Sequence, residues 1–92
     1  MIKSFRCKHT EALYHGKRAR KFEACTDQAE KRLEILDNAK TLDDLKALPS
    51  NRFEALGGDR AGQYSIRVNQ QWRVCFEWQD GDACNVEIVD YH

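Results

Sequence analysis

The sequence predicts an α+β fold in the order β-α-α-β-β-β, with helices on one face of a sheet, and three observations carry that expectation. Phe22, Cys25, Ala29, Leu33 and Leu36 recur at intervals of three and four, the stripe of an amphipathic helix. After Pro49 the periodicity changes to two, and it stays so to the last residues. A single proline at position 49 divides the two regimes, because the residue before a proline is driven out of helical geometry.

The elements follow in order. Residues 1–6 alternate and read as a short first strand, and Thr10 reads as the cap of a short helix through Leu13 that Gly16 interrupts. The long helix comes next, with Lys31, Arg32 and Glu34 outward. "TLDD" at residues 41–44 is a capping-box start for one more turn. Strands are then expected over 52–56, 63–68, 72–78 and 84–91. The glycine-crowded "GGDRAG" between the first two is a turn rather than a phosphate loop, since a strand and not a helix follows it.

Register follows from matching apolar faces, because a slip of one residue would send every apolar side chain to the wrong side. Tyr64, Ile66 and Val68 share a face with Trp72, Val74, Phe76 and Trp78 only if Val68 pairs with Trp72. Arg67 then lies opposite Arg73 on the other face, a like-charge cost that a bound polyanion would offset. In the last hairpin Phe76 matches Val86 and Val74 matches Ile88, leaving "QDGDA" as the loop. Arg73 faces Val89, with Tyr91 its diagonal neighbour.

A chain of 92 residues, 41% hydrophobic and 33% charged, suits one soluble domain, residues 1–92. No apolar run approaches the length of a membrane span, and "MIKSFRC" lacks the apolar core of a secretory signal, so a cytoplasmic protein is expected. The four cysteines are scattered without a C-x-x-C pair, and His9, His15 and His92 show no ligand spacing. Reduced thiols, no metal and no cofactor are the expectation. The net charge of zero hides an uneven distribution: residues 1–21 carry seven Lys or Arg against one acid. Lys17, Arg18, Arg20 and Lys21 form its peak, either a solvated helix end or a site for phosphates.

Arg73, Asp90, Tyr91 and His92 can converge at one sheet edge. This set suits metal-free phosphodiester cleavage in RNA, in which a base takes the 2′-hydroxyl proton, an acid protonates the leaving oxygen and a cation stabilises the phosphorane. Imidazole titrates near working pH. The plainer alternative is a strand end carrying a packed phenol and surface charges.

The segments "NRFEALGGDRAGQYSIRVNQQWRVCFEW" and "VEIVDYH", with "MIKSF" and "TEALYHGKRARKF" before them, resemble the HigB-type toxins of the RelE/ParE superfamily over essentially the whole chain. That resemblance implies a RelE/ParE-toxin-like fold with a small, mostly antiparallel sheet, and ribosome-dependent mRNA endonuclease activity that inhibits translation. Arg73 would stabilise the phosphate while Asp90, Tyr91 and His92 transfer protons. It also implies a HigA-type helix-turn-helix antitoxin, operator DNA bound through that antitoxin, the 70S ribosome and mRNA as partners, and no membrane. Lys17, Arg18, Arg20 and Lys21 would dock on ribosomal RNA, with Arg60 and Arg67 as further RNA contacts. Relatives often carry lysines in the glycine turn where this chain has Gly57 and Ala61. A weak toxin, or one that draws much of its catalytic power from the ribosome, is therefore expected, with Arg60 as a partial substitute. A ParE-like inhibitor of DNA gyrase is the alternative, and it would have no use for the terminal proton-transfer groups.

Overall fold

The computed structural model describes residues 1–90; residues 91 and 92 lie outside the described residues. Three α-helices, α1 (Lys8–Tyr14), α2 (Thr26–Asn38) and α3 (Leu42–Lys46), precede an antiparallel sheet of β1 (Glu54–Ala55), β2 (Gln63–Arg67), β3 (Trp72–Gln79) and β4 (Asp82–Asp90) in the order β1-β2-β3-β4. The helices lie on one face. Phe22, Ala29, Leu33, Leu36 and Leu45 bury their side chains with Ile66, Val74, Phe76, Val86 and Ile88 in one core.

The expected first strand is instead two isolated parallel bridges, Ile2 to Ala83 and Phe5 to Val86. A bulge in β4 interrupts the ladder there, and the Ser4 hydroxyl accepts the Asn85 N–H at 2.9 Å. Thr10 is likewise not a helix cap. It lies inside α1, fully buried, where its hydroxyl accepts the Ile88 N–H at 3.0 Å. Residues 1–6 and Thr10 together cover the outer edge of β4, which would otherwise present unpaired backbone groups.

The stripe from Phe22 to Leu36 is broken. A 3-10 helix (Arg20–Cys25) joins α2 across a kink at Phe22, whose backbone is non-helical. The capping box is present as read: the Thr41 hydroxyl accepts the Asp44 N–H, and the Asp44 carboxylate accepts the N–H groups of Lys40 and Thr41. Those bonds, the Lys40 N–H foremost, hold the Asp44 carboxyl below its usual range. A depressed carboxylate stabilises the fold above its unfolded pKa and loses that contribution as pH falls through the folded value. Thr41→Ala is expected to cost about 1 kcal/mol near neutral pH, measured by urea denaturation.

The strand expected over 52–56 shrinks to two residues, because Arg52 adopts a left-handed conformation (φ 46°) that turns the chain just before it. Between β2 and β3 the register is as read, with Tyr64 on Phe76, Ile66 on Val74 and Arg67 on Arg73. The last hairpin differs. Its loop is only Asp80 and Gly81, both at positive φ (51° and 82°), a two-residue type I′ turn. Continued regularly, that turn would place Val86 and Ile88 on the wrong face. A one-residue bulge at Asn85 (φ 52°) sets Asn85 and Val86 against Phe76 and restores the pairing of Val74 with Ile88.

Candidate active site

Strand alternation puts Ser65, Arg67, Arg73, Cys75, Glu77, Glu87 and Val89 on the face without helices. The register aligns Glu54, Ser65, Cys75 and Glu87 in one row across all four strands. Ser65 and Cys75 are fully buried on a face no helix covers, so charged side chains roof them. Burial pushes the Cys75 thiol up, against the opposing influence of the nearby Arg60 guanidinium.

Arg73 occupies the next row and is 8% exposed. Its Nε donates to the Ser65 hydroxyl at 2.8 Å, one Nη donates to the Arg52 carbonyl, and Glu54 lies 3.6 Å from that nitrogen. The left-handed turn at Arg52 thus has a use, since it presents a carbonyl to the guanidinium. Arg67, opposite, sends its Nε to the Asn69 carbonyl at 3.1 Å. The like-charge pair expected to need a polyanion is therefore already offset within the protein by carbonyls and Glu54, a correction to the reading of the sequence.

Arg60, in the short 3-10 turn Gly58–Arg60, is drawn onto the sheet. It donates to Gln63 and to Glu87, both at 3.0 Å. Arg6 closes the same cluster, 3.2 Å from Glu77 and 3.7 Å from Glu87. The cation that was to replace missing turn lysines is thus held with a carboxylate partner.

Asp90 ends β4 opposite Trp72 and accepts from the Gln71 side chain at 3.1 Å. The proton-transfer roles expected of Tyr91 and His92 fall outside the described residues. Lys17, Arg18, Arg20 and Lys21 are exposed, and Arg18 is paired with Glu23. Lys21 lies 5.9 Å from the centre of the Phe22 ring, and Phe22 meets Trp72 edge-on at 5.2 Å. Through that aromatic pair the basic stretch joins the end of the sheet where Asp90 sits.

Sequence reasoning missed Arg6, Glu54, Ser65, Glu77 and Glu87. The last two were within reach, since both alternate with core residues and so face away from the helices. Glu54 was not, because its register depends on a two-residue strand. Among the described residues no group of three His, Cys, Asp or Glu is placed to hold a metal ion, and no helix is long and apolar enough to cross a membrane.

The thiols respond to these surroundings. Partial burial works against a Cys7 thiolate, yet hydrogen bonds from Thr10 and His9 and the charge of Lys21 outweigh it and bring the thiol below its ordinary value. Native alkylation followed by mass spectrometry is expected to label Cys7 before Cys25 and Cys75, whose thiols burial pushes up.

Solved structures share this fold at low identity. The toxin-antitoxin complex YoeB-YefM from Staphylococcus aureus includes a chain matching at TM-score 0.59 and 18% identity, over 100% of this chain and 98% of that one. A YafQ mutant from E. coli matches at TM-score 0.59 and 11% identity, over 98% and 93%. The fold is that of the RelE-like toxins. The sequence model of the family described as "RelE-like toxin of type II toxin-antitoxin system HigB" matches residues 3–92, and the chain belongs to that family. "Toxin HigB-1" of Vibrio cholerae serotype O1 is 50% identical over 58 residues, 63% of this chain and 61% of that toxin's length. "Endoribonuclease HigB" of Proteus vulgaris is 33% identical over 93 residues, the full length of both. The protein is accordingly the toxin of a type II system, and its partner is an antitoxin.

Proposed function

We propose that residues 1–92 act as one toxin domain, a cytoplasmic endoribonuclease that cuts mRNA on the translating 70S ribosome without a metal ion. The 2′-oxygen attacks the adjacent phosphorus, the 5′-oxygen leaves, and the products end in a cyclic phosphate and a 5′-hydroxyl. Arg73 stabilises the charge that builds on the phosphorane, and the edge of Asp90, Tyr91 and His92 exchanges protons with the reacting oxygens. Lys17, Arg18, Arg20 and Lys21 dock on ribosomal RNA, with Arg60 and Arg67 flanking the message.

The observation that carries this reading is Arg73. Its guanidinium is nearly buried, fixed by Ser65 and the Arg52 carbonyl on the face without helices. A surface cation needs no such anchoring, whereas a preorganised transition-state contact does. Membership of the HigB-like family and the likeness to an endoribonuclease over its full length support RNA cleavage over poisoning of gyrase. The antitoxin in this reading is a HigA-type helix-turn-helix protein that carries the toxin to operator DNA.

The test is primer extension on mRNA from a translating system, with wild type, Arg73→Ala and His92→Ala, and naked mRNA as control. Discrete cuts in the decoding site that need ribosomes and vanish in the variants are expected. Intact mRNA with the wild type would overturn the reading.

A further inference from the structure

We infer that the cleft between α2 and the end of β2 is a second phosphate site, which holds a phosphodiester of the message flanking the one at Arg73; the assignment rests on the ribonuclease reading above. Arg32 of α2, Arg52 and Arg67 line this cleft of about 460 Å³ together with Ser50, Asn69 and Gln70, and no carboxylate is among its walls. A group of guanidiniums without an acid suits an anion, and the planar fork of arginine matches two phosphate oxygens at once.

Charge pairing sets these three arginines apart. Arg6, Arg18, Arg60 and Arg73 each meet a carboxylate. Among the described residues Arg32, Arg52 and Arg67 meet none, and the bonds they make are to neutral groups. One Arg32 Nη donates to the Asn51 side-chain oxygen at 2.7 Å and to the Ser50 hydroxyl at 3.4 Å. Asn51 is fully buried and gives its own amide N–H to the Leu45 carbonyl at 3.0 Å, so the guanidinium is held from the core side. Arg67 commits only its Nε, to the Asn69 carbonyl. The other Nη of Arg32, both Nη groups of Arg67 and the Arg52 guanidinium are left to serve a ligand.

The cleft adjoins the proposed reaction centre. Arg67 is the cross-strand partner of Arg73, and the Arg52 carbonyl accepts from an Arg73 Nη. An RNA chain with its scissile phosphate at Arg73 would therefore bring a flanking phosphate past the mouth of the cleft. Gripping the backbone at two points restricts rotation of the linkage between them, which keeps the 2′-oxygen in line with the leaving oxygen. An acidic group of the antitoxin would match the same charge, but continuity with Arg73 favours RNA.

The experiment measures single-turnover cleavage on ribosomes programmed with a short message, in which each phosphate flanking the cut is replaced in turn by an uncharged methylphosphonate. The nucleotide before that linkage carries a 2′-O-methyl group, and the same message with an ordinary phosphate there is the reference. Wild type is compared at subsaturating concentration with a triple variant, Arg32→Gln, Arg52→Gln and Arg67→Gln. Thermal melting controls for folding, and Arg32→Gln alone, anchored on α2 away from Arg73, replaces the triple variant if that one melts early. One flanking methylphosphonate is expected to slow wild type by about 10- to 100-fold, the range for loss of a charge-assisted contact. The variant should lose a comparable factor on the ordinary message, and the same methylphosphonate should slow it by less than about threefold more, the coupling expected of groups in contact. Wild type indifferent to every flanking methylphosphonate would overturn the assignment, and weaker binding of the variant to vacant ribosomes would then put the phosphate in ribosomal RNA. Wild type and variant slowed equally would also overturn it, since that phosphate would be held elsewhere. A variant that cleaves like wild type but escapes the antitoxin would overturn it in favour of an antitoxin carboxylate. Wild type that leaves the unmodified message whole would remove the ribonuclease reading itself, a result distinct from all of these.

Discussion

Arg73→Ala is expected to lower ribosome-dependent cleavage by about 100- to 1000-fold, the range seen when one preorganised donor to a developing anion is removed. The guanidinium reaches that position by being built in. It crosses to the Ser65 hydroxyl and the Arg52 carbonyl, with Glu54 alongside, so little reorganisation is left for the reaction step. Arg73→Lys should recover little, because an ammonium on a flexible stem cannot reproduce the planar fork that engages Ser65 and Arg52 together. Alanine also leaves the buried Ser65 hydroxyl without its donor, costing about 1–3 kcal/mol. Cleavage rates should therefore be read beside urea denaturation curves. Loss of cleavage with a folded, antitoxin-binding protein would place the effect in the chemistry. Near-wild-type cleavage by a folded Arg73→Ala protein would remove Arg73 from the mechanism.

The part of this site that was legible in the sequence is the part that obeys a strict period. The pairing of Arg67 with Arg73 followed from the apolar faces of two regular strands, and the structure has that register. The Thr41–Asp44 capping box was legible because it is local. What escaped depends on breaks in period. The Asn85 bulge repairs a mismatch between a two-residue turn and the apolar pattern, and the alternation of Val86 with Ile88 cannot reveal it because both lie beyond the bulge. Thr10 satisfies a backbone amide 78 residues away, which no local cap signal distinguishes from helix capping. Glu54 acquires its place through a left-handed Arg52, a conformation arginine rarely signals. The active face was thus readable at Arg73 and opaque on its β1 side.

The basic stretch gives the second large effect. Lys17, Arg20 and Lys21 are exposed, while Arg18 already has the Glu23 carboxylate within salt-bridge distance. Each cation that neutralises an RNA phosphate releases counterions, so the salt slope of ribosome binding should shrink by about one for every such contact removed. Converting Lys17, Arg20 and Lys21 to glutamine should cut the slope by about two to three and weaken binding on the order of 100-fold at 0.1 M salt. Arg18→Gln alone should change less, because leaving Glu23 offsets what Arg18 gains from a phosphate. The anchoring matters as much as the charge. Phe22 holds this stretch against Trp72, which pairs with Asp90, so the docked RNA backbone would lead toward the catalytic end of the sheet. Ribosome sedimentation at several salt concentrations checks the slope. A triple variant that binds with the wild-type salt dependence would show that these residues are a solvated surface, and docking would then have to be sought on the face around Arg60 and Arg67.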